Sequence, residues 1–154
     1  MSLKEKILAC STSFSDKRKT FYDPKALSDS NYKVENLKEK IYSLVKMDGC
    51  VFDSNETKCD FGMHLQDDNT IHFIELKGSD NNKGLMQLIE TINNTKECYK
   101  GFNKKVRLIV SRAEAPRNLD QKLIDKIGVI TDDIMNGKKK TFIKTNNTFT
   151  EYIK

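Results

Sequence analysis

The chain lacks several features that would assign it to a class of protein at once. None of its 154 residues lies in an apolar run of about 18 residues, so no transmembrane helix and no membrane partner are expected. Its first residues, Met-Ser-Leu-Lys-Glu-Lys, lack the apolar segment of a secretory signal. No repeat, Pro/Gly linker or low-complexity tract divides it, so residues 1–154 are expected to form a single domain.

The sequence also lacks the spacing of a zinc site. Only two histidines are present, too few for a histidine-based metal site. Four cysteines are present without any C-x-x-C pair: Cys10, Cys50, Cys59 and Cys98. Because a secretory signal is missing as well, we expect these cysteines to be reduced thiols of a cytoplasmic protein.

A modest excess of positive charge permits an acidic partner. Lys and Arg number 27 against 22 Asp and Glu, which gives a net charge of +5. Three basic clusters could contact phosphate groups, at residues 17–19, 104–107 and 138–140. Solvated surface lysines explain each cluster equally well. Composition therefore permits a nucleic-acid partner without indicating one.

The hydrophobic pattern predicts an α/β (α+β) fold with a mixed central β-sheet flanked by helices. We expect an irregular arm at residues 1–33, a core at about 34–112 and a mixed tail at 113–154. The core is predicted as helix, three strands, helix, strand, at residues 34–47, 50–53, 58–65, 70–77, 80–99 and 106–111. The tail is predicted to contain a short helix and one or two edge strands, at residues 118–127 and 141–153.

Both core helices are predicted from apolar residues at helical spacing. The first has Gly49 as its stop and the stripe Val34, Leu37, Ile41, Leu44 and Val45. The second follows cap residues in Gly78-Ser79-Asp80 and has the stripe Leu85, Leu88, Ile89, Ile92 and Tyr99.

The hairpin predicted between residues 58 and 77 contains the candidate chemistry. If Leu65 faces Thr70 across the four-residue turn between them, the pairing that follows sets Asp60 opposite Glu75. Lys77 then projects from the same face as Glu75, because side chains alternate along a strand. A slip of one residue would move Asp60 to the other face.

Two opposed carboxylates on an apolar strand need a compensating cation. Ligands that offer oxygen alone suit Mg²⁺ or Mn²⁺. Lys77 would then lie beside the metal, where its ammonium group could orient a water molecule or stabilise charge on a phosphate. The sequence thus predicts a site formed by Asp60, Glu75 and Lys77.

Asp60, followed on the next strand by Glu75-Leu76-Lys77, with a helix before and a helix after, resembles the signature of the PD-(D/E)XK nuclease superfamily. Restriction endonucleases, archaeal-type Holliday junction resolvases and RecB-like nuclease domains belong to it. The resemblance covers about residues 34–112 and implies a restriction-endonuclease-like core. It also implies that Asp60, Glu75 and the Leu76 carbonyl bind the metal, and that Lys77 assists the nucleophile in phosphodiester hydrolysis.

The resemblance implies further site residues. Many members use a glutamate of the first helix, for which Glu35 has a better helical phase than Glu39. Gln87 stands where RecB-like members have a glutamine, and Cys59 replaces the proline of the motif. Basic residues near the strand at 106–111 are candidates for phosphate contacts, with simple surface charge as the alternative: Lys104, Lys105, Arg112 and Arg117.

A metal-dependent nuclease that acts on DNA is therefore the leading hypothesis. Nothing beyond the core is large enough for a separate sequence-reading domain, which favours a structure-specific or accessory nuclease. A homodimer would supply the second active site that duplex cleavage needs. One alternative is a non-catalytic member of the same fold that binds nucleic acid or protein. The other is an unrelated α/β protein in which the hairpin charges are incidental.

Overall fold

The computed structural model describes residues 1–25, 28–78, 80–111, 120–131, 143–144 and 147–154. Over these residues the chain forms three helices and nine strands: α1 Leu3–Ala9, β1 Ser11–Phe14, β2 Arg18–Tyr22, β3 Asn31–Glu35, β4 Tyr42–Lys46, β5 Phe61–Leu65, β6 Thr70–Lys77, α2 Asn81–Asn94, β7 Asn103–Val110, α3 Gln121–Ile130, β8 Ile143–Lys144 and β9 Thr148–Tyr152. Among the helices described, none is long and apolar enough to cross a bilayer.

The strands form two mixed sheets. The larger sheet has six strands in the order β1-β4-β5-β6-β7-β8, and the smaller has the order β2-β3-β9. Strands β4, β5 and β6 form an antiparallel meander, whereas β6 and β7 are parallel and are connected through α2. The fold is a mixed α+β arrangement, and the predicted mixed sheet flanked by helices is confirmed.

Strand β6 lies at the centre of the molecule and is buried on both faces. Ile71 and Phe73 pack with apolar residues of α2 and α3 on one face of the large sheet. Ile74 and Leu76 pack with residues of the small sheet on the other face. Glu75 and Lys77 follow Phe73 in the alternation, so they project toward the helical side.

The predicted helix at residues 34–47 is wrong, because this segment forms the end of β3, a turn and β4. Two residues of the supposed apolar stripe, Leu37 and Ile41, are 64% and 55% exposed. The Asn36 side chain closes the turn, since its amide donates to the Lys40 carbonyl and its oxygen accepts from the Lys40 N–H. Turn chemistry and strand pairing therefore outweigh the helical spacing of the apolar residues.

Two further predictions near the N-terminus are wrong. Residues 1–33 are not an irregular arm, because they contain α1, β1, β2 and the start of β3. Residues 50–53 form turns, with an isolated bridge between Asp48 and Phe52, rather than a strand. The remaining strand and helix predictions overlap the observed β5, β6, α2, β7, α3, β8 and β9.

Two of the four cysteines are joined, which contradicts the prediction of four reduced thiols. Cys10 and Cys50 form a disulfide, while Cys59 and Cys98 are free. The end of α1 reaches β4, where the Cys10 carbonyl accepts from the Lys46 N–H, and this brings Cys10 beside the turn after the strand. Disulfides are typical of oxidising compartments, so the cytoplasmic location stays a prediction without support from the cysteines.

Gly84 allows α2 to approach the large sheet closely. A Cβ at this position would lie 2.6 Å from Leu108 Cδ1 and 3.3 Å from Lys77 Cγ. We expect Gly84→Ala to lower the free energy of unfolding by about 1 kcal/mol, because the overpacking exceeds the gain in helix propensity. Urea unfolding measures the change, with Met86→Ala on the exposed side of the same helix as the control. An unfolding free energy equal to or above that of the wild type would contradict this close approach.

Candidate active site

The open end of the hairpin β5–β6 brings two carboxylates together. Leu65 pairs with Thr70 and Phe61 pairs with Ile74, which is the predicted register. The Asp60 N–H donates to Glu75 Oε1 at 3.0 Å. Asp60 is 5% exposed and Glu75 is 1% exposed. The predicted register is therefore confirmed, and the structure brings Asp60 and Glu75 together.

The Asp60 side chain accepts a hydrogen bond from β6 at the point where β6 extends past the end of the neighbouring strand β5. Strand β5 begins at Phe61, so Leu76 has no strand partner on that side, and its N–H donates to Asp60 Oδ2 at 2.9 Å. The N–H and C=O of one strand residue point to the same side. The Leu76 carbonyl is therefore directed toward Asp60, where the resemblance places it as a metal ligand.

Lys77 lies on the same face as Glu75, as predicted. Its Nζ lies 3.4 Å from Glu75 Oε2, and its side chain is 19% exposed against 2% for the side chain of Glu75. The ammonium group thus reaches from solvent to the buried carboxylate. The hairpin brings together all three residues of the predicted core site.

Burial raises the pKa of both carboxyl groups. The pKa of Asp60 rises from 3.8 to about 6, chiefly through desolvation, although the Leu76 N–H partly opposes the rise. The pKa of Glu75 is raised well above its ordinary value, first by burial and then by the charge of Asp60, while Lys77 opposes the rise. Ionising both groups is therefore costly, and a bound cation would lower that cost.

A polar cleft of about 440 Å³ opens beside the carboxylate pair. Besides the three hairpin residues, Gln87 of α2 lines it. The Gln87 amide donates to the Lys58 carbonyl at 3.2 Å, and its Oε1 is buried with no hydrogen-bond partner within the described residues. The structure thus brings Gln87 to the site, as the resemblance implies.

The apolar stripe of the second predicted helix gives no indication that Gln87 is buried, because only apolar residues define that stripe. Helix α2 also buries polar residues on the side that faces residues 58–59, just before β5. Thr91 Oγ1 accepts from the Cys59 N–H at 2.8 Å and donates to the Gln87 carbonyl at 2.7 Å. Gln87 and Thr91, four residues apart, therefore form a polar stripe that an apolar pattern does not detect.

Glu35 does not reach the cleft, so its predicted role is wrong. It lies on β3, where its carboxylate pairs with Arg18 Nε at 3.1 Å and Lys33 Nζ at 3.5 Å. The error follows from the helix that was predicted at residues 34–47. A different carboxylate, Asp48, lines the cleft directly after β4. Its signal in the sequence is a charged residue between the apolar strand and Gly49.

The predicted nucleic-acid contacts do not coincide with the cleft. Lys104 and Lys105 pair with Ile71 and His72 in the parallel register, at the other end of β6 from the carboxylate pair. Lys105 lines a separate cavity of about 360 Å³. Arg112 and Arg117 lie outside the described residues. Over the described part of the chain, the cations that line the cleft are Lys25, Lys77 and Lys83.

The cleft offers oxygen donors, the kind of ligand that Mg²⁺ and Mn²⁺ prefer. Among the residues described, no three His, Cys, Asp or Glu side chains stand close enough to hold a metal ion together. Asp60 and Glu75 nevertheless offer two hard oxygen ligands, which suit these cations. The buried Gln87 Oε1 is an acceptor without a donor within the same residues, and such an atom costs about 1–3 kcal/mol. The residues present therefore fit a hard divalent cation.

No family model, no curated protein and no solved structure matches this chain. Its membership of the PD-(D/E)XK superfamily therefore stays a prediction from Asp60, Glu75-Leu76-Lys77 and the order of the surrounding elements.

Proposed function

We propose that this protein is a metal-dependent nuclease that hydrolyses phosphodiester bonds in DNA. The observation that carries the proposal is the buried contact between Asp60 and Glu75, with Lys77 Nζ 3.4 Å from Glu75 at the edge of an open cleft. Two buried carboxyl groups that lie close together destabilise a fold unless a proton or cation compensates them. Strongly raised pKa values in a cleft are typical of functional sites.

The arrangement of elements around the cleft supports the same proposal. Helix α1 precedes the meander β4-β5-β6, which α2 connects to the parallel strand β7. Apart from β1, β2 and β3, which lie between α1 and β4, this order agrees with the helix, three strands, helix and strand that the resemblance implies. The first helix of that core is then α1 rather than residues 34–47, and β1, β2 and β3 are inserted after it.

Each residue has a role that follows from its position. Asp60, Glu75 and the Leu76 carbonyl would hold Mg²⁺ or Mn²⁺, which when bound supplies Lewis-acid chemistry toward water and phosphate. The Lys77 ammonium group stabilises negative charge that develops on the phosphate and orients the attacking water. Lys83, exposed at the rim of the cleft, contacts a neighbouring phosphate of the strand.

A cleavage assay tests the proposal. The substrates are plasmid, single-stranded, flapped and four-way-junction DNA, each with Mg²⁺, Mn²⁺ or EDTA. We expect cleavage that requires the metal and that Asp60→Asn lacks. Glu56→Gln removes a carboxylate at the rim of the same cleft and is expected to retain activity, so it controls for the change of charge.

The outcomes separate the nuclease from its alternatives. DNA binding without cleavage would replace the nuclease by a non-catalytic binding module of the same fold. Neither binding nor cleavage would contradict the proposed function altogether. Nicked plasmid without linear product would indicate that one active site acts at a time, which argues against a homodimer that cleaves both strands.

A further inference from the structure

Asp48 is a buried carboxylate of the cleft, and only one of its two oxygens has a partner within the described residues. It is 6% exposed, close to the 5% of Asp60. Its Oδ2 accepts from Lys25 Nζ at 2.7 Å, while its Oδ1 is buried with no hydrogen-bond partner within the described residues. Gln87 lines the same cleft, and its Oε1 is likewise buried with no hydrogen-bond partner within the described residues. Within the described residues, two buried oxygens thus lack a donor at one site.

Lys25 enters the cleft from the segment that follows β2. The two carboxylate oxygens of Asp23 accept from the Lys25 N–H and from Ser28 Oγ, each at 3.0 Å, and so restrain these two residues. The hydrogen bond to Asp48 raises the pKa of Lys25, and the charges of Asp48, Asp60 and Glu75 add to the rise against the effect of burial. The Lys25 ammonium group therefore interacts with three of the carboxylates that line the cleft.

We propose that Lys25 is a tethered cation that a divalent metal ion replaces, and that Asp48, once released, joins Asp60 and Glu75 as a metal ligand. This inference rests on the proposed function. It accounts for the absence of a complete three-ligand cluster among the described residues, because Asp48 is held by Lys25. The structure then represents the state in which the ammonium group stands in for the metal.

The charges at the site favour this exchange. Within the described residues, six carboxyl groups line the cleft, those of Asp23, Asp48, Glu56, Asp60, Glu75 and Asp80, against the ammonium groups of Lys25, Lys77 and Lys83. With all of them ionised, replacing Lys25 by a divalent cation lowers the excess of negative charge from three to two. The cation also supplies a partner for the buried oxygen atoms of Asp48 and Gln87. Lys25 can leave at little cost, since its side chain is 46% exposed and regains solvent.

Mn²⁺ binding in the absence of DNA tests the exchange, with free Mn²⁺ measured by electron paramagnetic resonance. We expect Lys25→Met to bind Mn²⁺ roughly tenfold more tightly than wild type, because the competing ammonium group is gone. Asp48→Asn is expected to bind at least about tenfold more weakly, because a ligand is lost. Lys83→Met removes the same charge from the rim of the cleft and is the matched control.

The results distinguish failure of this inference from failure of the proposed function. If Lys25→Met binds Mn²⁺ no more tightly than Lys83→Met does, the inference that the metal ion replaces Lys25 is overturned. Wild-type affinity in Asp48→Asn would overturn its role as a ligand. In both cases, loss of Mn²⁺ binding in Asp60→Asn would leave the nuclease proposal intact. No Mn²⁺ binding by wild type and by Lys25→Met alike would overturn both. A melting curve in EDTA for Asp48→Asn shows whether that variant folds.

Discussion

Lys77→Ala is expected to slow metal-dependent DNA cleavage by about 10²- to 10³-fold, the range found when one electrostatic stabiliser of a transition state is removed. The Lys77 ammonium group lies beside the carboxylate pair without belonging to the oxygen ligands. The loss should therefore fall on the rate of the chemical step and only slightly on metal binding. Single-turnover cleavage with saturating Mn²⁺ measures the first quantity, and Mn²⁺ titration measures the second.

Lys83→Ala is the matched control for this prediction, because it removes a lysine from the rim of the same cleft. We expect it to weaken DNA binding, more so at low salt, and to leave the single-turnover rate within a few-fold of wild type. Equal effects of the two substitutions on the rate would mean that Lys77 contributes only general positive charge. In that case its position beside Glu75 would have no catalytic meaning.

The core of the site could be predicted because local signals in one hairpin agree. A four-residue turn, an apolar strand and the alternation of side chains together set the register that pairs Leu65 with Thr70. Once this register is given, Asp60 directly precedes the paired residues beside Glu75, and Glu75 and Lys77 share a face. No contact between distant parts of the sequence was needed to infer it.

The rest of the cleft depends on contacts between distant segments. Lys25 reaches Asp48 across 23 positions of sequence, through the pairing of the small sheet and the packing of that sheet on β6. Lys25 has no local pattern that distinguishes it from other lysines, and the position of Asp48 before Gly49 does not show that Asp48 is buried. Gln87 is buried with its amide donating to the Lys58 carbonyl, and this hydrogen bond offsets part of the cost of burying the side chain. An apolar stripe cannot indicate such a polar contact.

The first predicted helix failed for a related reason. Apolar residues at helical spacing also fit two short strands joined by a turn, and only the partners decide between these structures. The pairing of β4 with β1 and β5 buries Tyr42 and Leu44 and leaves Leu37 and Ile41 exposed in the turn. Because Glu35 was placed by helical phase, the error in the element became an error in the site.

Asp60→Asn is expected to stabilise the metal-free protein at pH 7.5 by about 1–3 kcal/mol, although it removes the proposed activity. Folding raises the pKa of Asp60 from 3.8 to about 6. A carboxyl group shifted in this direction stabilises the fold fully below its unfolded pKa, and this contribution is lost as the pH rises through the folded pKa. Asparagine stays neutral and still offers an oxygen to the Leu76 N–H. Urea unfolding in EDTA between pH 4 and 8 measures the effect.

The unfolding free energy of Asp60→Asn should therefore exceed that of wild type by an amount that grows between about pH 4 and 6. For Glu56→Gln, at the exposed rim, we expect no such growth. At pH 7.5, added Mn²⁺ is expected to make wild type more stable than Asp60→Asn. A ligand present at about 100 times its dissociation constant stabilises the folded state by about 2.7 kcal/mol, and wild type gains this term while Asp60→Asn does not. Greater stability of wild type in EDTA across the whole pH range would contradict the cost assigned to the buried pair. Reversal by Mn²⁺ would instead identify the destabilising carboxylates with the metal ligands.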